Sequence, residues 1–190
     1  MKNQNQALSS KIQHKLFNLK SFLLVLELID TKINEVIKVK PQDIPQYVTS
    51  EIHLEAFAFE LIIKIFYELD LREEAPKTHN IEDLFKELNK ENRNFIKNTF
   101  HDDINKKLRT FHDNINKKLR KLHKNLDVYM PDFEEVLKNN SEIVMNFKYT
   151  SKLPNASIVS LSFLRVLYKE LVKRSKNKKY PKCGMVIYSD

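Results

Sequence analysis

The sequence predicts an all-α protein, an antiparallel helical bundle of about five to six helices with one long protruding helix, and three observations carry that prediction. A single glycine, Gly184, stands among 190 residues, whereas the tight hairpins of β-rich folds draw on glycine for their positive φ angles. Apolar residues recur at three-, four- and seven-residue steps along most of the chain, the period of one helix face. An eleven-residue segment is followed directly by its near copy; eleven residues make just over three helical turns, so the repeat lengthens a helix while barely rotating its apolar stripe. With 42% hydrophobic and 31% charged residues, the chain is apolar enough to fold and long enough for one domain. That domain is expected over residues 1–175, with a basic, flexible tail over 176–190.

Ile12, Leu16, Leu19, Leu23, Leu26, Ile33 and Ile37 share one face of the first helix, which Pro41 and Pro45 end. From about Gln46 to Leu71 a second helix follows, in which His53, Glu60, Lys64 and Glu68 form one polar stripe and Leu54, Phe57, Leu61, Ile65 and Leu69 lie elsewhere. Its few polar positions predict that it is mostly buried. Arg72 to His79 contains Pro76 and reads as a loop; Asn80 then caps a short third helix with Glu82 and Asp83 in its first turn and Leu84, Phe85 and Leu88 as anchors. The repeat, Thr99 to Arg109 and Thr110 to Arg120, differs only at Asp103 against Asn114 and predicts a fourth helix from roughly Glu91 to Leu126. Asp132 with Glu135 three residues on is a capping-box pattern, opening a fifth helix that turns Phe133, Val136, Leu137, Val144 and Phe147 inward. A sixth helix is expected from Ile158 to about Arg174, carrying Leu161, Phe163, Leu167 and Leu171. In the tail, Met185 to Tyr188 fits an edge strand or disorder.

Charge and composition narrow the function classes. Thirty-three basic against 25 acidic residues give a formal charge of +8, which favours polyanions through long-range attraction and counterion release; the same lysine- and asparagine-rich usage follows as readily from AT-rich coding. One glycine excludes Gly-rich phosphate loops and dinucleotide fingerprints, so no cofactor is expected. A lone cysteine, Cys183, needs no oxidising compartment. Lys11, His14, Lys15 and Lys20 interrupt the N-terminal apolar pattern, and the most apolar window is too short and too charged for a membrane span. The expectation is a cytoplasmic protein without membrane association.

Ala56-Phe57-Ala58-Phe59-Glu60-Leu61 with Lys64, then Lys77-Thr78-His79-Asn80-Ile81 with Leu84-Phe85, and finally Phe147-Lys148-Tyr149 with Phe163-Leu164 together resemble bacterial HEPN-type proteins. The resemblance implies a helical bundle, a homodimer, and a nucleic-acid-linked role in toxin–antitoxin systems or phage defence, with RNA, an antitoxin or a nucleotidyltransferase as partners. Catalytic members cleave RNA without metal, using an arginine and a histidine four to six residues beyond it. Here Arg72 and His79 have six residues between them but bracket a loop, Arg93 and His101 have seven, and the pairs Arg109–His112 and Arg120–His123 have two. Arg72, His79, Arg93 and His101 are the catalytic candidates, and the spacing on one helix departs from the family's pattern.

The basic signal has its own order. Lys106, Lys107, Arg109, Lys117, Lys118, Arg120, Lys121 and Lys124 line the repeat helix, where they suit a phosphate backbone, the alternative being an ordinary solvated face with the i, i+4 pairs Asp102–Lys106 and Asp113–Lys117. No aromatic residue interleaves them, so base stacking is not indicated. His101, His112 and His123 stand about 16 Å apart along such a helix, too far to share an ion, and no metal site is expected. Against the RNA-linked reading stands a helical interaction module without catalysis.

Overall fold

The computed structural model describes residues 2–39, 44–119, 132–145 and 159–177, and among them it holds six α-helices and no strand. They are α1 (Lys2–Val39), α2 (Ile44–Leu71), α3 (Ile81–Glu87), α4 (Lys90–Leu119), α5 (Phe133–Met145) and α6 (Leu161–Asn177). The all-α bundle expected from glycine scarcity and periodicity is the observed architecture. None of the helices, among the described residues, is long and apolar enough to cross a membrane.

The bundle is organised around α2. It packs against α1, α3, α5 and α6, and Ala56, Ala58, Phe59, Ile62, Ile63, Ile65 and Phe66 on it are all closed to solvent. A helix contacted on several sides must be apolar almost all round, which is why its sequence shows so narrow a polar stripe. On α1 it is the buried stripe that is narrow: Leu8, Ile12, Leu16, Leu19, Leu23 and Leu26 are buried, while Phe17, Leu24 and Leu28 on the same helix are exposed.

A chain of aromatic contacts joins the other helices to this hub. Phe59 of α2 meets Phe163 of α6 with ring centroids 5.8 Å apart, Phe163 meets Phe100 of α4 at 5.7 Å, and Phe100 meets Phe133 of α5 at 5.3 Å. Phe133 completes the series against Phe85 of α3 at 5.1 Å. Truncating a buried phenylalanine to alanine costs about 3–5 kcal/mol, so Phe100, the first copy's contribution to this cluster, fixes where the repeat helix docks. Its counterpart Phe111 lies on α4 past the described side chains.

Helix starts follow the caps. The Asp83 backbone N–H donates to Asn80 Oδ1 at 3.2 Å, and the Glu135 N–H to Asp132 Oδ1 at 2.7 Å, both as the sequence predicts. The sixth helix begins later than expected, at Leu161, because Ser160 caps it: the Phe163 N–H donates to Ser160 Oγ at 3.2 Å. It also ends later, at Asn177, so Lys176, assigned to the tail, belongs to the helix. At the start of the chain, α1 opens at Lys2, ten residues before the first periodic isoleucine. The final turns expected for the fourth helix, Phe147, Ile158 and residues 178–190 of the tail, Met185 to Tyr188 included, lie outside the described residues.

Candidate functional site

The groove between α1, α2 and the 72–80 loop gathers several chemically capable side chains around His79, a sequence-predicted candidate. Its volume is about 370 Å³, and Lys15, Phe22, Glu60, Lys64, Lys77 and His79 are among its walls. Periodicity explains two of the three sides: Lys15, Asn18 and Phe22 share one face of α1, and Phe57, Glu60, Leu61 and Lys64 share one face of α2.

The third side depends on a loop that folds back. α2 ends with Arg72 in the left-handed region, φ 58°, its N–H donating to the Glu68 carbonyl at 3.1 Å; this is an αL helix end made without glycine. Glu68, fully buried, then receives the Ala75 N–H at 3.0 Å on its side-chain Oε1 and pairs with Lys15 of α1. Tyr67 donates its hydroxyl to Glu73 at 2.9 Å, and Lys11 of α1 donates to Glu74 at 2.6 Å. Three acidic side chains thus hold the loop, and the Asn80 N–H donates to Thr78 Oγ1 at 3.0 Å, setting His79 just ahead of α3.

His79 arrives directly over Glu60. Its Nδ1 lies 3.1 Å from Glu60 Oε1 and 3.2 Å from Oε2, so Nδ1–H donates to the carboxylate and, in the neutral imidazole, Nε2 on the far side of the ring is the acceptor. Burial differs sharply across the pair: the Glu60 side chain is 7% exposed and that of His79 58%. Lys64, one turn along α2, donates to Glu60 Oε1 at 2.5 Å. A buried carboxylate that orients an exposed imidazole can move a proton at the open nitrogen. Lys15 is paired with Glu68 and Lys64 with Glu60; Lys77, also in the groove wall, supplies an ammonium that can stabilise an anion forming beside the imidazole.

The remaining candidates are dispersed. Arg72 is exposed at the end of α2, where its backbone geometry closes the helix, and it does not line the groove. Arg93 stands near the start of α4 with Nη1 donating to the Lys86 carbonyl at 3.3 Å. His101 is exposed two turns further along α4, its ring edge-on to Phe100. The groove therefore brings together His79 alone of the four, with the Glu60–Lys64 pair that the sequence shows only as helical neighbours. Lys106 and Lys107 are exposed on α4, and Lys107 pairs with Asp103 at 3.6 Å. Arg109, Lys117 and Lys118 continue the α4 backbone, whereas Arg120, Lys121 and Lys124 lie outside the described residues.

Sequence reasoning missed Lys15 and the bracing role of Glu68. The signal available for them was a polar stripe on a helix otherwise too apolar to face water, since charged residues on a buried helix need partners from elsewhere. Among the described residues, no three histidine, cysteine, aspartate or glutamate side chains converge as a metal-ligand set. What fold and groove define together is an all-α bundle with a carboxylate-oriented histidine in a lysine-walled cleft. No family model, curated protein or solved structure matches the chain.

Proposed function

We propose that this chain is a HEPN-like helical protein that binds RNA and cleaves it at the Glu60–His79 groove, in a nucleic-acid-linked defence or toxin–antitoxin setting. One observation carries the reading: His79 is held by a buried carboxylate through Nδ1 while its ring lines a groove with lysines around it. In the reaction, His79 Nε2 takes the proton of a ribose 2′-hydroxyl as that oxygen bonds to the adjacent phosphorus. The P–O5′ bond breaks, the leaving 5′ oxygen takes a proton from solvent, and the Lys77 ammonium holds a phosphoryl oxygen. The setting and the RNA substrate rest on the resemblance and on the charge of +8.

The test is incubation of the full chain with a single-stranded oligoribonucleotide in the presence of a chelator. Products ending in a 2′,3′-cyclic phosphate and a 5′-hydroxyl are expected, with no cleavage of the all-deoxy strand. His79→Ala lowers the rate by about 10²–10⁴-fold, the span of a positioned acid–base group. Cleavage that survives His79→Ala unchanged, or its absence in the parent protein, overturns the reading.

A second reading has its own observation. Phe17, Leu24 and Leu28 are exposed on one face of α1, seven and four residues apart, and suit a helical interaction surface. A second copy of the chain is its proposed occupant, as the resemblance implies, with an antitoxin or nucleotidyltransferase partner as the alternative. If Leu24→Glu with Leu28→Glu leaves sedimentation unchanged at every concentration, the homodimer through this face is ruled out.

A further inference from the structure

On another side of α2, a cavity of about 600 Å³ opens between the later part of α1, the first turns of α2, α4 and the start of α6. Glu55 reaches it from α2 and is 4% exposed. One of its carboxyl oxygens is served by the backbone N–H of Leu161; the other, Oε2, is buried and has no hydrogen-bond partner. A buried polar atom without a partner is rare in folded proteins and calls for an explanation.

The charges facing Glu55 come from four helices: Asp30 of α1, Glu51 of α2, Lys107 of α4, and Arg165 and Lys169 of α6. Two of the cations are engaged elsewhere, Lys107 with Asp103 and Arg165 with Glu27. Glu51 is one helical turn from Glu55, and burial with the Asp30 charge pushes its carboxyl above the usual carboxylate range. Burial first, then Glu51, pushes Glu55 up to about 9. The fold therefore holds together two carboxyl groups that would each gain from a positive charge.

We propose that this cavity binds a linear organic di- or polyamine, with Glu55 and Glu51 receiving its ammonium groups. Size argues against a bare metal ion, which needs a small fraction of 600 Å³. Val48, Ile52, Leu161 and Val166 supply apolar wall in the same cavity, and such a wall matches the methylene segments between amines. Oε2 is closed to solvent, so the Glu55 carboxyl turns toward the cavity on binding, where charge-assisted hydrogen bonds from an ammonium would satisfy it. Binding is proton-linked, because Glu55 gives up its proton to receive the cation.

Isothermal titration of the full chain with spermidine tests this, with inorganic phosphate as the probe of opposite charge. Saturable spermidine binding is expected. Its apparent enthalpy should vary with the ionisation enthalpy of the buffer, and its affinity should rise by close to tenfold per pH unit between about pH 6 and pH 8, the slope for one released proton. Glu55→Gln removes the proton linkage and weakens binding by about tenfold or more. Glu51→Gln, further from the core, weakens binding and keeps the linkage. Absence of saturable spermidine binding overturns the proposal, as does equal affinity and unchanged proton release in a folded Glu55→Gln variant. Phosphate binding that excludes spermidine would overturn it too, by assigning the cavity to an anion.

Discussion

Glu55 and Glu60 stand five residues apart on α2, both nearly closed to solvent, and the molecule treats them in opposite ways. Glu60 has Lys64 four residues later on its own helix and receives His79 from the loop. Glu55 has Glu51 four residues before it, Asp30 across from it, a single backbone N–H, and only Lys107, itself paired with Asp103, acting as an opposing cation. A carboxylate given cationic neighbours becomes a positioning group, whereas one given burial and like charge keeps its proton. The same residue type on the same helix thus produces an oriented imidazole at one groove and a proton store at another. The i±4 neighbour visible in the sequence already points each way.

The paired glutamate is the more costly of the two to disturb. Lys64→Ala should leave Glu60 buried with His79 alone and destabilise the fold by about 3 kcal/mol or more, the cost of uncoupling a buried ion pair. Urea denaturation measures it. Adding Glu60→Gln to that variant should restore a large part of the loss, and no recovery would mean that Lys64 acts through packing of its stem.

The unpaired site carries the next effect, and its sign is opposite to that of an ordinary salt-bridged carboxylate. The folded state holds the Glu55 proton up to about pH 9, whereas the unfolded chain releases it from about pH 4.5. Stability is therefore undiminished below pH 4.5 and falls as pH rises through that window. At pH 7 the loss is about 3 kcal/mol, from a differential of 1.36 kcal/mol per pH unit over the ionised range. Glu55→Gln should flatten this dependence, so the variant gains on the parent protein as pH rises from 5 to 8. Equal slopes in denaturation series at several pH values would show that Glu55 ionises freely.

The smallest expected effect sharpens the comparison. Glu51→Lys gives Glu55 a cation at the i−4 position, the mirror of what Lys64 gives Glu60. The Glu55 carboxyl should then titrate lower by about 1–3 pH units, read from its carboxyl carbon resonance, and spermidine should lose its site. A titration unmoved by this change would place the cause in burial alone.

Much of the fold was legible because it is local. Asn80 and Asp132 cap the helices they were expected to cap, and Leu16, Leu19, Leu23 and Leu26 are buried as their spacing predicts. Boundaries shifted where a tertiary partner intervened. Ser160 starts α6 while its hydroxyl donates at 2.6 Å to Asp103, and Ser162 donates to the same carboxylate. That aspartate is the one position at which the two repeat copies differ, Asn114 standing in the second. The sequence shows that difference between the copies, but not that Asp103 meets the start of α6, 57 residues away.

By itself, the sequence determined what depends on neighbours within one helical turn: glycine scarcity, apolar phase, caps, and whether a buried glutamate has a lysine or a glutamate at i±4. Only the tertiary structure decided which distant groups meet. Lys15 and Glu68 are 53 residues apart, Glu60 and His79 19, Asp103 and Ser160 57, and Arg174 and Asn92 82. Helical periodicity assigns a residue to a face, but the partner across that face depends on how far each helix slides and turns against its neighbours. Here the apolar packing of Phe59, Phe100, Phe133 and Phe163 sets that docking. The polar groups then meet whatever the apolar contacts bring opposite them, because burial of apolar surface supplies most of the driving force for folding.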